Sequence, residues 1–263
     1  MSLSGVVCFP SVDGLDTLVG IVQGCGDTLD TVVLCHGLGN DKESFVVKQL
    51  SKRLGRRFRT LRFDFRGNGA SSGSFAFGGY DEQALDIEAA VKFLESEGLR
   101  VIGVLGHSMG GDSALMFGAL SPLARDKRLV NVSGRFQMDR GLREKFSDAQ
   151  WSALCAGESI EWPLKDRSCK VTMNDVDKRR RTDMKGVVEK IAERGDVFVL
   201  TVHGSEDDVI PVEDAHEIHK ILSSTGRHEL VILEGANHFY KTRGSSDTSQ
   251  IESLFQVVSA FLD

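Results

Sequence analysis

Proline, cysteine, tryptophan and tyrosine are scarce in this sequence of 263 residues, which contains 4, 5, 2 and 2 of them respectively. Because 28 glycines accompany so few prolines, regular elements joined by glycine turns are expected, and a collagen-like chain is excluded. The five cysteines are odd in number and widely scattered, with no Cys-x-x-Cys pair. The sequence therefore predicts neither a disulfide framework nor a zinc site.

The sequence also lacks the features of membrane-spanning and nucleic-acid-binding chains. No apolar run approaches the roughly 18 residues that cross a bilayer, and the first residues lack a basic stretch followed by an apolar core. With 32 lysines and arginines against 38 aspartates and glutamates, the formal net charge is −6, the wrong sign for binding phosphate backbones. We therefore expect a cytoplasmic protein with neither a membrane span nor a nucleic-acid partner.

From residue 31 onward, short apolar runs rich in β-branched residues alternate with longer amphipathic segments. This alternation predicts an α/β fold, with a mainly parallel sheet flanked by helices. The predicted strands are 31–35, 58–63, 100–105, 129–132, 197–202 and 229–233, and the predicted helices are 42–54, 81–97, 109–120, 212–223 and 248–262. Before residue 31, segments 5–9 and 18–22 flank the turn dipeptide Asp13-Gly14 and predict an antiparallel hairpin.

The alternation stops between residues 136 and 195, where Trp151 and Trp162 lie among polar stretches with no recognisable strand. We interpret the chain as a single domain, 1–263, with a compact cap insertion at 136–195. The insertion contains a run of four basic residues at 178–181. This run is interpreted as a solvated helix or loop face, with a nuclear address and an anion-binding patch as the alternatives.

The pattern Gly-x-Ser-x-Gly, in which a serine lies on a sharp strand-to-helix turn, occurs twice. The copy centred on Ser71 lies among glycine-rich loop residues with no helix behind it, and it is interpreted as loop structure. The copy centred on Ser108 follows the predicted strand 100–105 and opens into the predicted helix 109–120. Ser108 is therefore the candidate nucleophile.

A serine nucleophile needs a base, and the base needs a carboxylate that orients it. Past the predicted strand 197–202 a loop carries Glu206, Asp207 and Asp208, and past the strand 229–233 the chain reaches His238. Because the carboxyl ends of parallel strands meet at one edge of a sheet, we expect Ser108, an acid from this loop and His238 at one site. The residues alone leave Asp207 and Asp208 open as the acid, and Glu206 fits less well.

Attack on a carbonyl forms a tetrahedral oxyanion, which needs two preorganised N–H donors. The amide of Met109, directly after Ser108, is the first candidate. The second must come from another loop, and segment 36–39 contains two glycines that would let the backbone turn the Leu38 amide towards the site. An ordinary glycine turn between strand and helix is the alternative for this segment.

Together these motifs resemble those of the α/β-hydrolase superfamily, and the resemblance spans nearly the whole chain. The motifs are His36-Gly37-Leu38-Gly39, Asp64-x-Arg66-Gly67-x-Gly69-x-Ser71, Gly106-His107-Ser108-Met109-Gly110-Gly111, His203-Gly204-x-x-Asp207-x-x-Ile210-Pro211 and Gly235-x-x-His238-Phe239. In that superfamily the acid occupies the position of Asp207, so the resemblance favours Asp207 over Asp208. Segments 36–43 and 67–75 look most similar to the feruloyl and cinnamoyl esterases and to serine-aminopeptidase-like hydrolases.

The residues and the resemblance together imply a serine hydrolase of the carboxylesterase type that cleaves a small-molecule ester through an acyl-enzyme. The expected catalytic residues are Ser108, Asp207 and His238, and the expected oxyanion donors are the amides of Leu38 and Met109. No cofactor or metal is required. The alternatives are hydrolysis of thioesters or amides by the same triad, and a non-catalytic ligand-sensing protein on a hydrolase fold.

Overall fold

One mostly parallel sheet of eight strands forms the centre of the protein in a computed structural model that describes residues 3–24, 28–165, 167–241 and 247–263. The strands of this sheet are β1 (Gly5–Pro10), β2 (Thr17–Gly24), β3 (Asp30–Cys35), β4 (Arg59–Phe63), β5 (Arg100–His107), β6 (Arg128–Val132), β9 (Phe198–Gly204) and β10 (His228–Leu233). Their order across the sheet is β1-β2-β4-β3-β5-β6-β9-β10. The β1–β2 and β2–β4 pairs are antiparallel, and all other pairs are parallel.

Helices cover both faces of the sheet, as apolar strands of a parallel sheet require. They are α1 (Phe45–Leu54), α2 (Tyr80–Ser96), α3 (Met109–Leu120), α6 (Met184–Arg194), α7 (Glu213–Leu222) and α8 (Ser249–Leu262). Buried residues of α1 and α8 form one hydrophobic core with one face of the sheet, and those of α2, α3, α6 and α7 form another with the opposite face. The predicted α/β class and its mainly parallel sheet flanked by helices are therefore confirmed.

The sequence analysis found no strand between residues 136 and 195, and this was wrong. Two antiparallel strands, β7 (Ile160–Pro163) and β8 (Ser168–Val171), form a small separate sheet there, together with the helices α4 (Asp148–Cys155) and α5 (Met173–Arg180). Each strand has only four residues, of which one is buried, so its apolar alternation is too short to recognise. Side chains of this segment form a third hydrophobic cluster, whereas α6 packs in the core of the sheet.

No helix among the described residues is long and apolar enough to cross a membrane.

The Ser71 copy of the serine motif has a structural role in the fold. Ser71 is buried, its hydroxyl donates to the Asp64 carbonyl at 2.6 Å, and its oxygen accepts from the Val19 amide at 2.9 Å. These two bonds hold the loop after β4 against β2. A hydroxyl with both functions occupied inside the protein is poorly placed for attack on a substrate.

Replacing Ser71 by alanine should lower the free energy of unfolding by about 1–3 kcal/mol, because the Val19 amide and the Asp64 carbonyl both lose their partner. Ser74→Ala, a change in the same loop at an exposed residue, should stay within about 0.5 kcal/mol. Urea unfolding of the two variants measures the difference. Equal stabilities would show that the Ser71 bonds contribute nothing to the loop.

Candidate active site

Ser108 lies on a sharp turn between β5 and α3, with backbone angles φ 55° and ψ −126°. The turn is tight because a Cβ on Gly106 would lie 1.9 Å from the Gly110 carbonyl oxygen, and one on Gly110 would lie 2.6 Å from the Cys35 carbonyl oxygen. Only glycine fits at both positions. The Ser108 amide donates to the Val132 carbonyl at 2.8 Å, which ties the turn to the end of β6. The serine is partly exposed on this turn, as expected for a nucleophile.

Asp207 lies in the turn after β9, and its side chain has no exposed surface. Its Oδ1 accepts from the amides of Val209 at 2.9 Å and Ile210 at 2.8 Å. Its Oδ2 accepts from His238 Nδ1 at 2.8 Å and lies 3.3 Å from His203 Nε2. Both carboxylate oxygens are therefore fully satisfied inside the protein.

These contacts determine the charge of Asp207. Burial alone would favour the neutral acid, but the hydrogen bonds from His203 and His238 outweigh it and hold the pKa of the carboxyl well below its usual range. The group is ionised at neutral pH. A buried carboxylate bonded to Nδ1 fixes the orientation of the His238 ring and leaves Nε2 facing away from the acid.

The structure distinguishes the candidate acids of this loop by burial. Asp208 and Glu206 are exposed residues, whereas Asp207 holds His238 from inside. This agrees with the resemblance, which favours Asp207.

His238 follows β10 and is held from two sides. Its Nδ1 bonds Asp207, and its backbone carbonyl accepts from His107 Nε2 at 2.8 Å. The rings of His107 and His238 lie 4.9 Å apart between centroids, and Phe239 stacks edge-on against His238 at 5.1 Å. Because His107 directly precedes Ser108, its bond to the His238 carbonyl connects the serine turn to the histidine loop.

The structure brings Asp207 and His238 into direct contact but shows no hydrogen bond from the Ser108 hydroxyl within the described ranges. Ser108 follows β5 and His238 follows β10, both at the carboxyl edge of the parallel strands. Hydrogen bonds between a nucleophile and its base are often long without a substrate and tighten when one binds. The catalytic relation of Ser108 to His238 therefore remains a prediction.

In segment 36–39, a hydrogen bond to the Gly37 carbonyl fixes the peptide that carries the Leu38 amide. His36 Nδ1 donates to the Gly37 carbonyl at 2.9 Å, and His36 Nε2 accepts from the Phe65 amide at 3.2 Å. In a trans peptide the C=O and the following N–H point in opposite directions, so the Leu38 N–H points away from the His36 ring. Among the described residues, neither this amide nor that of Met109 has an acceptor.

Two histidines of the site were missed as functional in the sequence analysis. His203 donates Nε2 to the Ile210 carbonyl at 2.9 Å beside Asp207, and His107 holds the His238 loop. Each lies next to a motif glycine. A glycine indicates a turn in the sequence, but it does not indicate which group the histidine bonds. No group of histidine, cysteine and acidic residues suited to a metal ion occurs in the part of the chain that the structure describes.

Comparisons with known proteins identify the family and agree with the fold. Residues 32–240 match the model of the α/β hydrolase family. Est1E from Butyrivibrio proteoclasticus, solved with ferulic acid bound, superposes with a TM-score of 0.76 at 21% identity, covering 97% of this chain and 98% of that one. An esterase from Pyrococcus furiosus gives a TM-score of 0.72 at 21% identity over 99% and 90% of the two chains. An esterase domain from Rhodothermus marinus gives a TM-score of 0.69 at 18% identity, covering 99% of this chain and 98% of that one. The predicted family resemblance is confirmed.

His107 should stay neutral throughout the working pH range, because burial and the nearby His238 lower its pKa to about 3. Its NMR ring signals, identified by their loss in His107→Gln, should then show no titration between about pH 5 and 8. A titration midpoint near that of a free imidazole would mean that His107 is not buried against His238 as described.

Proposed function

Because the chain belongs to the α/β hydrolase family, we propose that it is a serine hydrolase of the carboxylesterase type, with Ser108, His238 and Asp207 as its triad. The observation that carries the proposal is the 2.8 Å bond from His238 Nδ1 to the buried Asp207 carboxylate. It lies at the same sheet edge as a serine on a strained, glycine-flanked turn. A satisfied carboxylate, an oriented imidazole and a partly exposed serine are the parts that acyl transfer requires.

In the proposed reaction, His238 Nε2 takes the proton of Ser108 as its hydroxyl attacks the ester carbonyl. The tetrahedral intermediate collapses, the proton on His238 passes to the leaving alcohol, and an acyl-enzyme remains. His238 then takes a proton from the water that attacks the acyl carbon, and it returns this proton to Ser108 Oγ as the serine ester bond breaks and the acid is released. Asp207 stabilises the imidazolium formed in both halves and stays ionised throughout, in line with its low pKa.

The negative oxygen of each intermediate is assigned to the amides of Met109 and Leu38. Met109 is the first residue of α3, so its N–H has no intrahelical acceptor and adds the positive end of the helix dipole. The Leu38 amide is aimed by the bond from His36 to the Gly37 carbonyl. Two preorganised backbone donors of this kind are worth about 10²–10³ in kcat each.

The predicted cap at 136–195 is assigned the role of shaping the substrate pocket. Trp162 packs edge-on against Phe77 at 4.9 Å and in a tilted arrangement against Phe146 at 5.3 Å, and Leu38 packs against the same cluster. The aromatic surface of the cap therefore lies next to a proposed oxyanion donor. Est1E, which has the same fold, binds ferulic acid, an aromatic acid, and this supports a small-molecule ester as the substrate here.

A fluorophosphonate probe should label Ser108, and Ser108→Ala should abolish both labelling and hydrolysis of 4-nitrophenyl esters. Because triad residues act as a unit, Ser108→Ala and His238→Ala should each lower kcat by about 10⁴–10⁶, and the double variant should lose little more. Mass spectrometry of the labelled peptide and steady-state kinetics measure these effects.

Ser71→Ala is the matched control, because Ser71 lies in the other copy of the motif. It should keep both labelling and turnover. Labelling at Ser71 would overturn the choice of nucleophile, and no labelling with no turnover of esters, thioesters or amides would favour the ligand-sensing alternative.

Asp207→Asn should lower kcat by about 10⁴ with little change in KM, because an amide no longer selects the required His238 tautomer. Asp208→Asn, the neighbouring change at an exposed residue, should stay within about tenfold. Kinetics of the two variants on one ester decide between the acids. The reverse ranking would assign the role to Asp208.

A further inference from the structure

A guanidinium group with two unpartnered nitrogens among the described residues lies buried between the predicted cap and the rest of the protein. Arg179, in helix α5, is 4% exposed, and its Nε and Nη1 have no partner in the described structure. Its contacts there are with ring faces: the guanidinium carbon lies 5.4 Å from the centre of the Phe77 ring and 5.5 Å from that of Tyr80. The interpretation of the run 178–181 as a solvated face is wrong for Arg179, whose ring contacts hold it inside.

Other buried polar atoms near Arg179 are also unpartnered. The Tyr80 hydroxyl, with no exposed surface, and Arg135 Nε, in a residue 2% exposed, have no acceptor among the described residues. Two acidic side chains lie near this group: Asp112, whose Oδ2 has no donor among the described residues, and Asp214, which is paired with Arg140 at 2.9 Å. Burial, with Arg179 and Arg135 nearby, also lowers the pKa of Lys145 to about 8. The group therefore combines several unused donors with an excess of positive charge.

These side chains adjoin the proposed active site. The Asp112 amide lies in the first turn of α3 and bonds the Ser108 carbonyl at 3.3 Å, and Asp112 Oδ1 accepts from the Arg135 amide at 2.7 Å. Arg135 Nη2 donates to the carbonyl of Val209, two residues after Asp207, at 2.8 Å. Arg135 thus spans the space between the first turn after the serine and the acid loop.

Asp112 is a poor counter-ion for this charge. Burial raises the pKa of its carboxyl well above the usual range even though Arg179 and Arg135 act to lower it. Its single carboxyl group faces the guanidinium groups of both Arg179 and Arg135, so it cannot compensate both positive charges. A buried cation without a partner is costly to folding, and such a group persists where a ligand supplies the missing charge.

We propose that Arg179, with Arg135 and the Tyr80 hydroxyl, binds a carboxylate carried by the substrate, so that the preferred substrate is an ester that also bears a free acid. A guanidinium and additional donors in a water-poor site suit this planar anion. The aromatic rings of Phe77 and Tyr80 hold the guanidinium in place through their faces. This substrate class rests on the proposed esterase function.

The test compares esters that differ only in charge. 4-Nitrophenyl hydrogen adipate and 4-nitrophenyl hexanoate place a carboxylate or a methyl group at the end of the same acyl chain. 4-Acetyloxybenzoate and its methyl ester compare a carboxylate with a neutral ester group on the alcohol side. Wild-type protein should show kcat/KM about 10- to 100-fold higher for the anionic member of at least one pair. If the wild type hydrolyses both members of each pair with equal kcat/KM, the proposal is overturned, whatever the variants do.

Arg179→Met should lower kcat/KM for the anionic ester far more than for the neutral one and so remove the preference, and Arg179→Lys should retain part of the preference. Arg181→Met is the matched control, because its side chain, 80% exposed, lies just past the same helix. It should leave the preference unchanged. Equal loss on both members of a pair in Arg179→Met, with a lower melting temperature, would show that Arg179 only holds the cap in place.

Equilibrium binding separates this proposal from the proposed function. Calorimetry with Ser108→Ala should give a Kd for monomethyl adipate about tenfold lower than that for dimethyl adipate. Adding Arg179→Met to this variant should abolish the difference. If the wild type hydrolyses no ester but this difference is found, the catalytic proposal fails and the anion site stands. If esters are hydrolysed but neither binding nor kcat/KM depends on charge, the anion site fails alone.

Discussion

The buried Asp207 carboxylate connects more of the candidate site than any other group described here. Its two oxygens accept from two backbone amides of its own turn and from His238, with His203 close by. Because an ion inside a protein is tolerated only when such bonds replace water, the turn after β9 and the His238 ring together stabilise this carboxylate. The same arrangement places an anion against His238 Nδ1. The local stability of the loop and the orientation of the His238 ring thus depend on the same carboxylate.

A second constraint, the close approach of backbones at the Ser108 turn, extends that arrangement across the sheet. The positions of Gly106 and Gly110 leave no room for a side chain, so α3 starts directly above the end of β3. The serine turn is bonded to β6 through the Val132 carbonyl and to the His238 loop through His107. Parallel strands β5, β6, β9 and β10 end at one edge, and each contributes a loop there. Short bonds between these loops assemble the site from residues far apart in sequence, such as His107 and His238, which are 131 positions apart.

The sequence predicts well what depends on periodicity and motif, and poorly what depends on contacts between distant segments. Strand 31–35 and helix 109–120 lie within one residue of β3 and α3, because apolar runs and glycine turns carry their own signal. The strands β7 and β8 were missed since they alternate over only four residues each. Arg179 was misread because its neighbours in the basic run are solvated, and its burial arises from rings contributed by a segment some hundred residues earlier. The supporting bonds of His203 and His107 depend equally on topology, which one sequence does not reveal.

The candidate triad and the Arg179 group differ in how their buried charges are compensated, and this difference separates the two halves of the site by task. At Asp207 both oxygens are satisfied by the protein itself, so the His238 ring is oriented before a substrate arrives. At Arg179 the described residues supply ring faces but no acceptor for Nε and Nη1. Preorganisation by internal bonds suits a reaction common to all esters. An unpaired guanidinium instead makes binding depend on whether the ligand carries a negative charge. The sheet and its loops would then perform the chemistry. Helix α5 would set the substrate preference, because a substrate carboxylate would neutralise the charge of Arg179.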